Sequence, residues 1–414
     1  MRVLIVPDKF KGTRSAPEVA RALAAGVRRA RADADVEILP LADGGDGTVD
    51  ALVTGVGGRI ERVAVTGPLG EPVDAPLGWL DDGRAVIEMA AASGLALVPS
   101  RGRAPLRATS RGTGELIARA LEHRKAGAAV IVGLGGSAST DGGTGAASAL
   151  GWRFLDESGR ELGPGGGELR RLATIDGSGV SAGLAAGGVV GASDVDNPLL
   201  GPRGAAQTFA PQKGASAHEV GVLEEGLTAL ARCIERDLGV VVAEEWGAGA
   251  CGGIGAGLIA FCGARLEPGF ALVAGVLGLE DAISRADLVI TGEGRLDDQS
   301  LGGKTPVGVA RLARKGGVPC IAIAGEVDVD EESLRREGIA RALSLVRAVG
   351  SERAVSDVDA ALEEVIAGAL GNEVPAAGRA RPDRRDERGR AGPDRRDERG
   401  RPGPDRRDET RDTR

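Results

Sequence analysis

Five stretches of the chain combine glycine with carboxylates, and each follows a short apolar run. They are Pro7-Asp8-Lys9-Phe10-Lys11-Gly12, Ala42-Asp43-Gly44-Gly45-Asp46-Gly47-Thr48, the segment from Ser137 through Asp141 to Gly143, Ser193-Asp194-Val195-Asp196-Asn197-Pro198, and Thr291-Gly292-Glu293-Gly294-Arg295-Leu296-Asp297-Asp298-Gln299-Ser300. Glycine allows positive φ and lets backbone N–H groups come close to a phosphate. Aspartate beside it suits Mg²⁺, a hard cation that keeps waters and phosphate oxygens in its shell. Together they point to phosphoryl transfer, in which a protein supplies positioning and charge neutralisation. Asp-Gly and Asn-Pro are also ordinary turn pairs. Any one of these stretches alone reads as a turn; five at the ends of apolar runs do not.

The elements that must carry these stretches are short β-branched runs alternating with helical patterns. Strands are predicted at 3–6, 36–39, 129–132, 288–290 and 320–323, with a weaker one at 342–345. Ser15 and Glu18 have capping-box spacing before the apolar stripe Ala20, Leu23, Ala24, Val27, and a last helix is predicted over 357–370. Such alternation means a parallel sheet covered on both faces. Residues 59–107 alternate instead like antiparallel strands, and 151–279 mix strands, glycine-rich loops and a helix near 219–236. The fold class expected is therefore α/β: a doubly wound parallel-sheet domain (1–58, 108–150 and 280–371) with a second, inserted α/β domain (59–107 and 151–279). Ligands in such folds lie beyond the carboxyl ends of the parallel strands.

Composition narrows the partners. Residues 379–414 hold 14 Arg and 10 Asp/Glu, and Pro-Asp-Arg-Arg-Asp-Glu begins at Pro382, Pro393 and Pro404. A segment without large apolar side chains cannot offset its ordering entropy, so 372–414 is expected to be a disordered charged tail. The whole chain is −8 and residues 379–414 are +4, which leaves −12 on residues 1–378 and argues against nucleic acid as a partner. Four cysteines without Cys-x-x-Cys spacing suggest neither a zinc ribbon nor a disulfide framework, and two distant histidines exclude a histidine-rich metal centre. Residues 246–264 are uncharged, but seven of them are glycine, so no membrane span is expected. The first residues lack a signal-peptide apolar region, and a cytoplasmic protein is expected.

With 68 glycines, Gly-x-Gly-x-x-Gly should arise by chance about twice, so the match at Gly247, Gly249 and Gly252 says little. Gly133-Leu134-Gly135-Gly136-Ser137-Ala138 fits a dinucleotide-binding turn, with Asp156 about twenty residues on. It supports an alternative reading, an NAD(P)-dependent oxidoreductase of a small hydroxy acid. Against it, Ser139-Thr140-Asp141-Gly142-Gly143 continues the loop where a cofactor helix should run. Gly303-Lys304-Thr305 ends like a Walker loop, but its first glycine would fall on Asp298.

Taken in order, the motifs resemble those of bacterial glycerate kinases of the glycerate 2-kinase type. The matching stretches are Pro-Asp-Lys-Phe-Lys-Gly (7–12), Leu-Ala-Asp-Gly-Gly-Asp-Gly-Thr (41–48), Glu-Met-Ala-Ala-Ala-Ser-Gly-Leu (88–95), Arg-Gly-Thr-Gly-Glu-Leu-Ile (111–117), Gly-Leu-Gly-Gly-Ser-Ala (133–138), Asp-Val-Asp-Asn-Pro-Leu (194–199), Pro-Gln-Lys-Gly-Ala (211–215) and Thr-Gly-Glu-Gly-Arg-Leu-Asp (291–297). The resemblance spans about residues 1–370. Asp46 departs from it, standing where the family usually has glutamate. The resemblance implies an ATP- and Mg²⁺-dependent kinase converting D-glycerate to 2-phosphoglycerate, with the site between two α/β domains; 3-phosphoglycerate is the alternative product.

Roles follow as expectations. The carboxylate of glycerate needs a cation, and Lys11, Arg111, Lys213 and Arg295 are loop-borne candidates, with Asn197 beside the substrate. Asp194 is the expected base for the attacking hydroxyl, its pKa raised by Asp196. Asp43, Asp46 and Asp297 are candidates for Mg²⁺. Ser137 and the amides of Gly135, Gly136, Gly142 and Gly143 would hold phosphate oxygens, with Asp141, Gly292 and Glu293 completing the nucleotide site. Lys11 and Lys304 would neutralise the transferred phosphoryl group.

Overall fold

The computed structural model of the chain describes residues 1–180, 184 and 188–371. The expected disordered tail, 372–414, lies outside the described residues. Thirteen strands occur among them: β1 (Arg2–Pro7), β2 (Asp35–Ile38), β3 (Gly58–Thr66), β4 (Pro72–Leu80), β5 (Ala85–Glu88), β6 (Val130–Gly133), β7 (Arg153–Leu155), β8 (Thr174–Asp176), β9 (Val189–Ser193), β10 (Arg265–Pro268), β11 (Leu288–Leu296), β12 (Cys320–Val327) and β13 (Ile339–Ser344).

The first sheet has the order β13-β12-β11-β1-β2, and every pairing in it is parallel. Its central strands are apolar on both faces because both are covered. Leu4 and Val6 enter one core with Leu39, Val289 and Val307. Val3 and Ile5 enter the other with Leu23, Leu288, Ile290 and Ile366. Successive side chains thus go to opposite layers, as the two-residue period of a strand requires. The helix Ala16–Ala30 begins where predicted, with the Ser15 N–H donating to the Glu18 carboxylate at 2.8 Å. Val358–Gly371 closes the same face.

The second sheet has the order β10-β9-β6-β5-β4-β3. Strands β3, β4 and β5 are antiparallel, as the alternation over 59–107 predicts. From β5 onward the pairings are parallel. Two sequence expectations change here. The run at 129–132 was expected in the first sheet, yet β6 pairs β5 and β9 at the centre of the second. The helix Arg111–His123 goes with it, burying Leu116, Ile117 and Ala120 against Ile87 and Val132. A fully apolar strand suits the middle of either sheet, so local pattern does not assign it. The second change is β11, which runs on through Thr291–Leu296, expected as loop. It pairs β12 as far as Leu296↔Val327. Gly292 permits this, since a Cβ there would lie 2.3 Å from the Ile323 carbonyl oxygen.

Glycine also brings the two sheets together. The loop after β2 packs on the end of β6: a Cβ on Gly133 would stand 2.4 Å from the Gly44 carbonyl oxygen. A Cβ on Gly269 would stand 1.9 Å from the Asp43 carbonyl oxygen. No side chain fits at either contact, so Asp43 and Asp46 are held against the second sheet by bare backbone.

Candidate active site

Carboxyl ends of parallel strands from both sheets open onto one cleft. β1 leads to Asp8, β11 carries Glu293, β5 ends at Glu88, β6 leads to Gly135 and Gly136, and β9 leads to Asp194. The cleft consists of two adjoining cavities of about 500 and 670 Å³. Lys11, Asp46, Gly135 and Gly136 line both and form the waist between them.

The smaller cavity is ionic. Asp8, Lys9, Asp43, Asp46, Glu293, Asp297 and Lys304 line it. Asp8 is buried and accepts from the Thr305 hydroxyl at 2.8 Å and from the Lys9 N–H at 2.6 Å. Burial pushes its pKa up; Lys9 opposes this and Asp43 adds to it. Lys9 donates to the Asp46 carbonyl oxygen at 2.7 Å. Burial works against the Lys9 charge, but Asp8, Asp43, Asp46 and Glu88 outweigh it and hold the ammonium above its usual pKa. Glu293 is 9% exposed, and its Oε1 has no partner. Burial raises its pKa to about 7, despite Ser300 and Lys304 nearby. A buried carboxyl oxygen with its hydrogen-bonding capacity unmet is unfavourable in the free protein.

Asp194 stands beside this cluster. Its Oδ1 accepts the Gly269 N–H at 3.0 Å, at the start of the helix Gly269–Val276. It is open to solvent at the edge of the cleft, yet enough protein surrounds it to raise its pKa to about 6, with Asp43 and Asp8 adding to the effect. Asp196, the expected cause of that shift, turns away and pairs with Arg203 at 2.8 Å. Alternate residues of an extended chain point to opposite sides, and the charge that matters comes from another strand.

The larger cavity is mostly apolar, with Ala90, Ala91, Leu95, Leu134, Val195 and Phe209 in its walls. Besides Lys11 and Asp46 at the waist, its polar members are Glu88, Arg103, Ser137, Gln212 and Lys213. Glu88 accepts the Val49 N–H at 2.7 Å and so fixes the helix Thr48–Val56 that follows Asp46.

Several expected residues do not reach this cleft as ligands. Asp141 is fully buried and accepts from the Ser110 N–H (2.8 Å), the Ser110 hydroxyl (2.9 Å) and the Gly143 and Gly145 amides. It is an internal brace. The Gly142 amide donates to the Gly252 carbonyl at 3.0 Å, and the Gly143 amide to Asp141 at 3.2 Å, so neither is free for phosphate. Gly292 lies within the β11 ladder. Arg111 pairs with Glu115 at 3.1 Å and lines a different cavity, with Trp152 and Phe154. Asn197 donates to the Arg203 carbonyl at 2.7 Å. Arg295 lines the ionic cavity, but its guanidinium is held by Asp328 and Glu326. Asp297 caps the helix Asp298–Leu301 through the Gln299 and Ser300 amides. Burial opposes its charge, and those amides with Lys304 outweigh it and keep its pKa low. Lys213 is buried and is not a surface cation.

Asp8, Lys9 and Glu88 were not singled out by sequence reasoning. The usable signal was the one that found Asp194, a charged residue directly after a buried strand. Among the described residues no group of three or more His, Cys, Asp and Glu is close enough to form a metal site by itself. The NAD(P) alternative loses its support as well. The Gly133–Ala138 turn opens no cofactor helix, since the next helix starts at Thr144. Asp156 is tied into its own surface turn by Ser158 and Arg160. No described helix is long and apolar enough to cross a membrane.

Comparison with known proteins agrees with this geometry. The family model "Glycerate kinase family" matches residues 3–370. The chain is 49% identical to a glycerate kinase of Bacillus subtilis over 348 residues, covering 84% of this chain and 90% of that one. It is 46% identical to a glycerate 2-kinase of Escherichia coli over 373 residues, covering 90% and 95%. It also superposes on a Salmonella typhimurium LT2 crystal structure, described as a candidate glycerate kinase 2, with TM-score 0.80 and 45% identity over 89% of this chain and 97% of that one. With the match running from β1 to the final helix, the chain belongs to the glycerate kinase family.

Proposed function

We propose that the protein transfers the γ-phosphoryl group of ATP to the C2 hydroxyl of D-glycerate, giving 2-phosphoglycerate and ADP. The observation that carries this reading is Asp194. Its carboxyl, with a pKa of about 6, stands beside an ionic cavity lined by Lys9, Lys11 and Lys304. A carboxylate of that pKa is ionised at neutral pH and basic enough to take a hydroxyl proton as the oxygen attacks phosphorus. The new O–P bond forms, the bond to the ADP oxygen breaks, and the proton stays on Asp194. Lys11, at the waist, and Lys304 neutralise the charge spread over the transferred group.

The acidic residues fit Mg²⁺ in the form in which it accompanies a nucleotide, with one or two carboxylates and the remaining positions on phosphate and water. One or two of Asp8, Asp43 and Asp46, which line the same cavity, would supply those carboxylates. When bound it would draw charge from the phosphate oxygens. The Gly135–Gly136 turn offers backbone close to the phosphates at the waist, and the apolar walls of the larger cavity suit the base.

The test is turnover of purified protein with ATP, MgCl₂ and D-glycerate, with phosphorus NMR locating the phosphate. The expected product carries it on C2. A phosphate on C3 would overturn the regiochemistry, and no ADP release with D-glycerate would overturn the reading.

A further inference from the structure

Lys213 lies at the end of the short turn Pro211–Lys213 and is 2% exposed. Its ammonium donates to the Ser137 hydroxyl at 2.7 Å, the Ser139 carbonyl at 2.5 Å and the Thr140 hydroxyl at 3.4 Å. An ammonium has three donors, and all three are used. Lys213 therefore cannot bind a substrate directly, although it borders the larger cavity. Nor does any described carboxylate come within ion-pair distance of it. A buried charge without a counter-charge is strongly unfavourable. The nearest ionisable groups are Cys251 and Asp141. The Cys251 thiol is pushed up to about 11 by burial and is neutral, while the Asp141 carboxyl is taken up by donors of its own.

Ser137 is the way out for that charge. Its oxygen accepts from the Lys213 ammonium, and its own hydrogen goes to the Ser139 carbonyl at 3.5 Å, a long bond beside the 2.5 Å one that the same carbonyl takes from Lys213. With only that long bond and the neighbouring Cys251 thiol to hold it, the Ser137 hydrogen can turn to a ligand oxygen in the cavity. Ser137 follows the Gly135–Gly136 turn and lines the same cavity. The backbone around the ammonium is specialised. Cys251, Gly252 and Gly253 take φ of 54°, 73° and 91°. A Cβ on Gly252 would lie 2.8 Å from the Lys213 Nζ and 2.2 Å from the Ser139 carbonyl oxygen. Left-handed backbone at a non-glycine residue is strained, and such strain gathers at functional sites.

We propose that Ser137 donates a hydrogen bond to an anionic oxygen of a bound substrate, and that Lys213 is the positioning residue behind it, its charge reaching the ligand through the Ser137 hydroxyl. The identity of that ligand rests on the kinase reading: the oxygen belongs either to the glycerate carboxylate or to a nucleotide phosphate. Burial lowers the Lys213 pKa to about 8, so the relay weakens in mild alkali. Arg103, which lines the same cavity, is hydrogen-bonded to the Gln212 carbonyl at 3.0 Å.

The test is calorimetric titration of D-glycerate, ADP and inorganic phosphate into wild type, S137A, K213M, K213R and the double variant S137A/K213M, between pH 6.5 and 9.5. S137A removes only the hydroxyl, so it guards against a folding failure of K213M. The expected result is a loss of tenfold or more in S137A for one substrate, the range of a charge-assisted hydrogen bond, with the other within twofold. The double variant should be no worse than either single one, K213R should restore part of the loss, and wild-type affinity should fall above about pH 8 while S137A stays flat. Loss confined to D-glycerate assigns the carboxylate; loss shared by ADP and phosphate assigns the phosphate. S137A binding every probe within twofold of wild type would overturn the relay and leave the kinase reading standing. If wild type binds neither D-glycerate nor ADP, the kinase reading fails. The relay then survives only if S137A weakens phosphate binding, and otherwise it fails too.

Discussion

Replacing Glu293 by glutamine should make the protein more stable at alkaline pH and not at acidic pH. The folded-state pKa of Glu293 is raised from 4.5 to about 7, chiefly by burial. Below pH 4.5 the carboxyl is neutral whether the chain is folded or unfolded, and it costs nothing. As pH rises through 7 the folded protein must ionise a group that is 9% exposed and has one oxygen without a partner. A shift of that size corresponds to about 3 kcal/mol of lost stability once pH exceeds 7. Glutamine has the same shape and no charge, so E293Q should recover up to about 3 kcal/mol at pH 9. For a folded body of this length that is about 4 °C in Tm. Ligand-free thermal denaturation of both proteins between pH 5 and pH 9 reads it directly. The Tm difference should be small at pH 5, grow between pH 5 and pH 7 and level off above that. A difference constant with pH, or an E293Q that melts lower at pH 9, would refute the argument. The gain should come with reduced turnover, as expected where a strained site serves function.

The other predictions test separate parts of the cleft. D194N should lower kcat by about 10²–10⁴-fold, the usual worth of a general base, and remove the acid limb expected near pH 6 in the wild-type profile; steady-state ADP release across pH checks both. R111A should leave kcat and the KM for glycerate within about twofold, because Arg111 is paired to Glu115 beside a different cavity and exposed pairs are worth little. G252A should lower stability by at least about 1–3 kcal/mol, since a Cβ at φ +73° would meet the Ser139 carbonyl oxygen at 2.2 Å; denaturant unfolding measures it.

The sequence was readable where local pattern and chemistry coincide. Apolar runs ending in Asp8, Asp43 and Asp194 showed both the strands and the acidic rim. What it hid were long-range choices. The run at 129–132 reads the same in either sheet, and only its pairing with β5 and β9 decides. Thr291–Leu296 looked like a loop because of its glycines, of which Gly292 is there to admit the neighbouring strand. The acids and glycines of 137–143 carried the right residue types, but Asp141 and the Gly142 and Gly143 amides face inward while Gly135 and Gly136 face the cleft. Composition does not say which way an amide points. Ser137 and Lys213 were assigned to different ligands, although 2.7 Å separates them.

The charges of the cleft explain why these parts belong together. Asp8, Glu88, Asp194 and Glu293 all have raised pKa values, each led by burial. Lys9 stands among them, and its charge already answers to Asp8, Asp43, Asp46 and Glu88. The free cleft thus holds more carboxylate than its own cations can compensate. A triphosphate alone would worsen that imbalance, whereas one entering with a divalent cation would bring positive charge to the crowded side. The uncompensated ammonium of Lys213 poses the opposite demand on the far side of the Gly135–Gly136 waist. Excess negative charge on one side calls for a divalent cation, and an unpaired positive charge on the other calls for an anionic oxygen, of the acid or of the nucleotide phosphate. Each imbalance is unfavourable in the free protein, and each is relieved only when the ligands are in place.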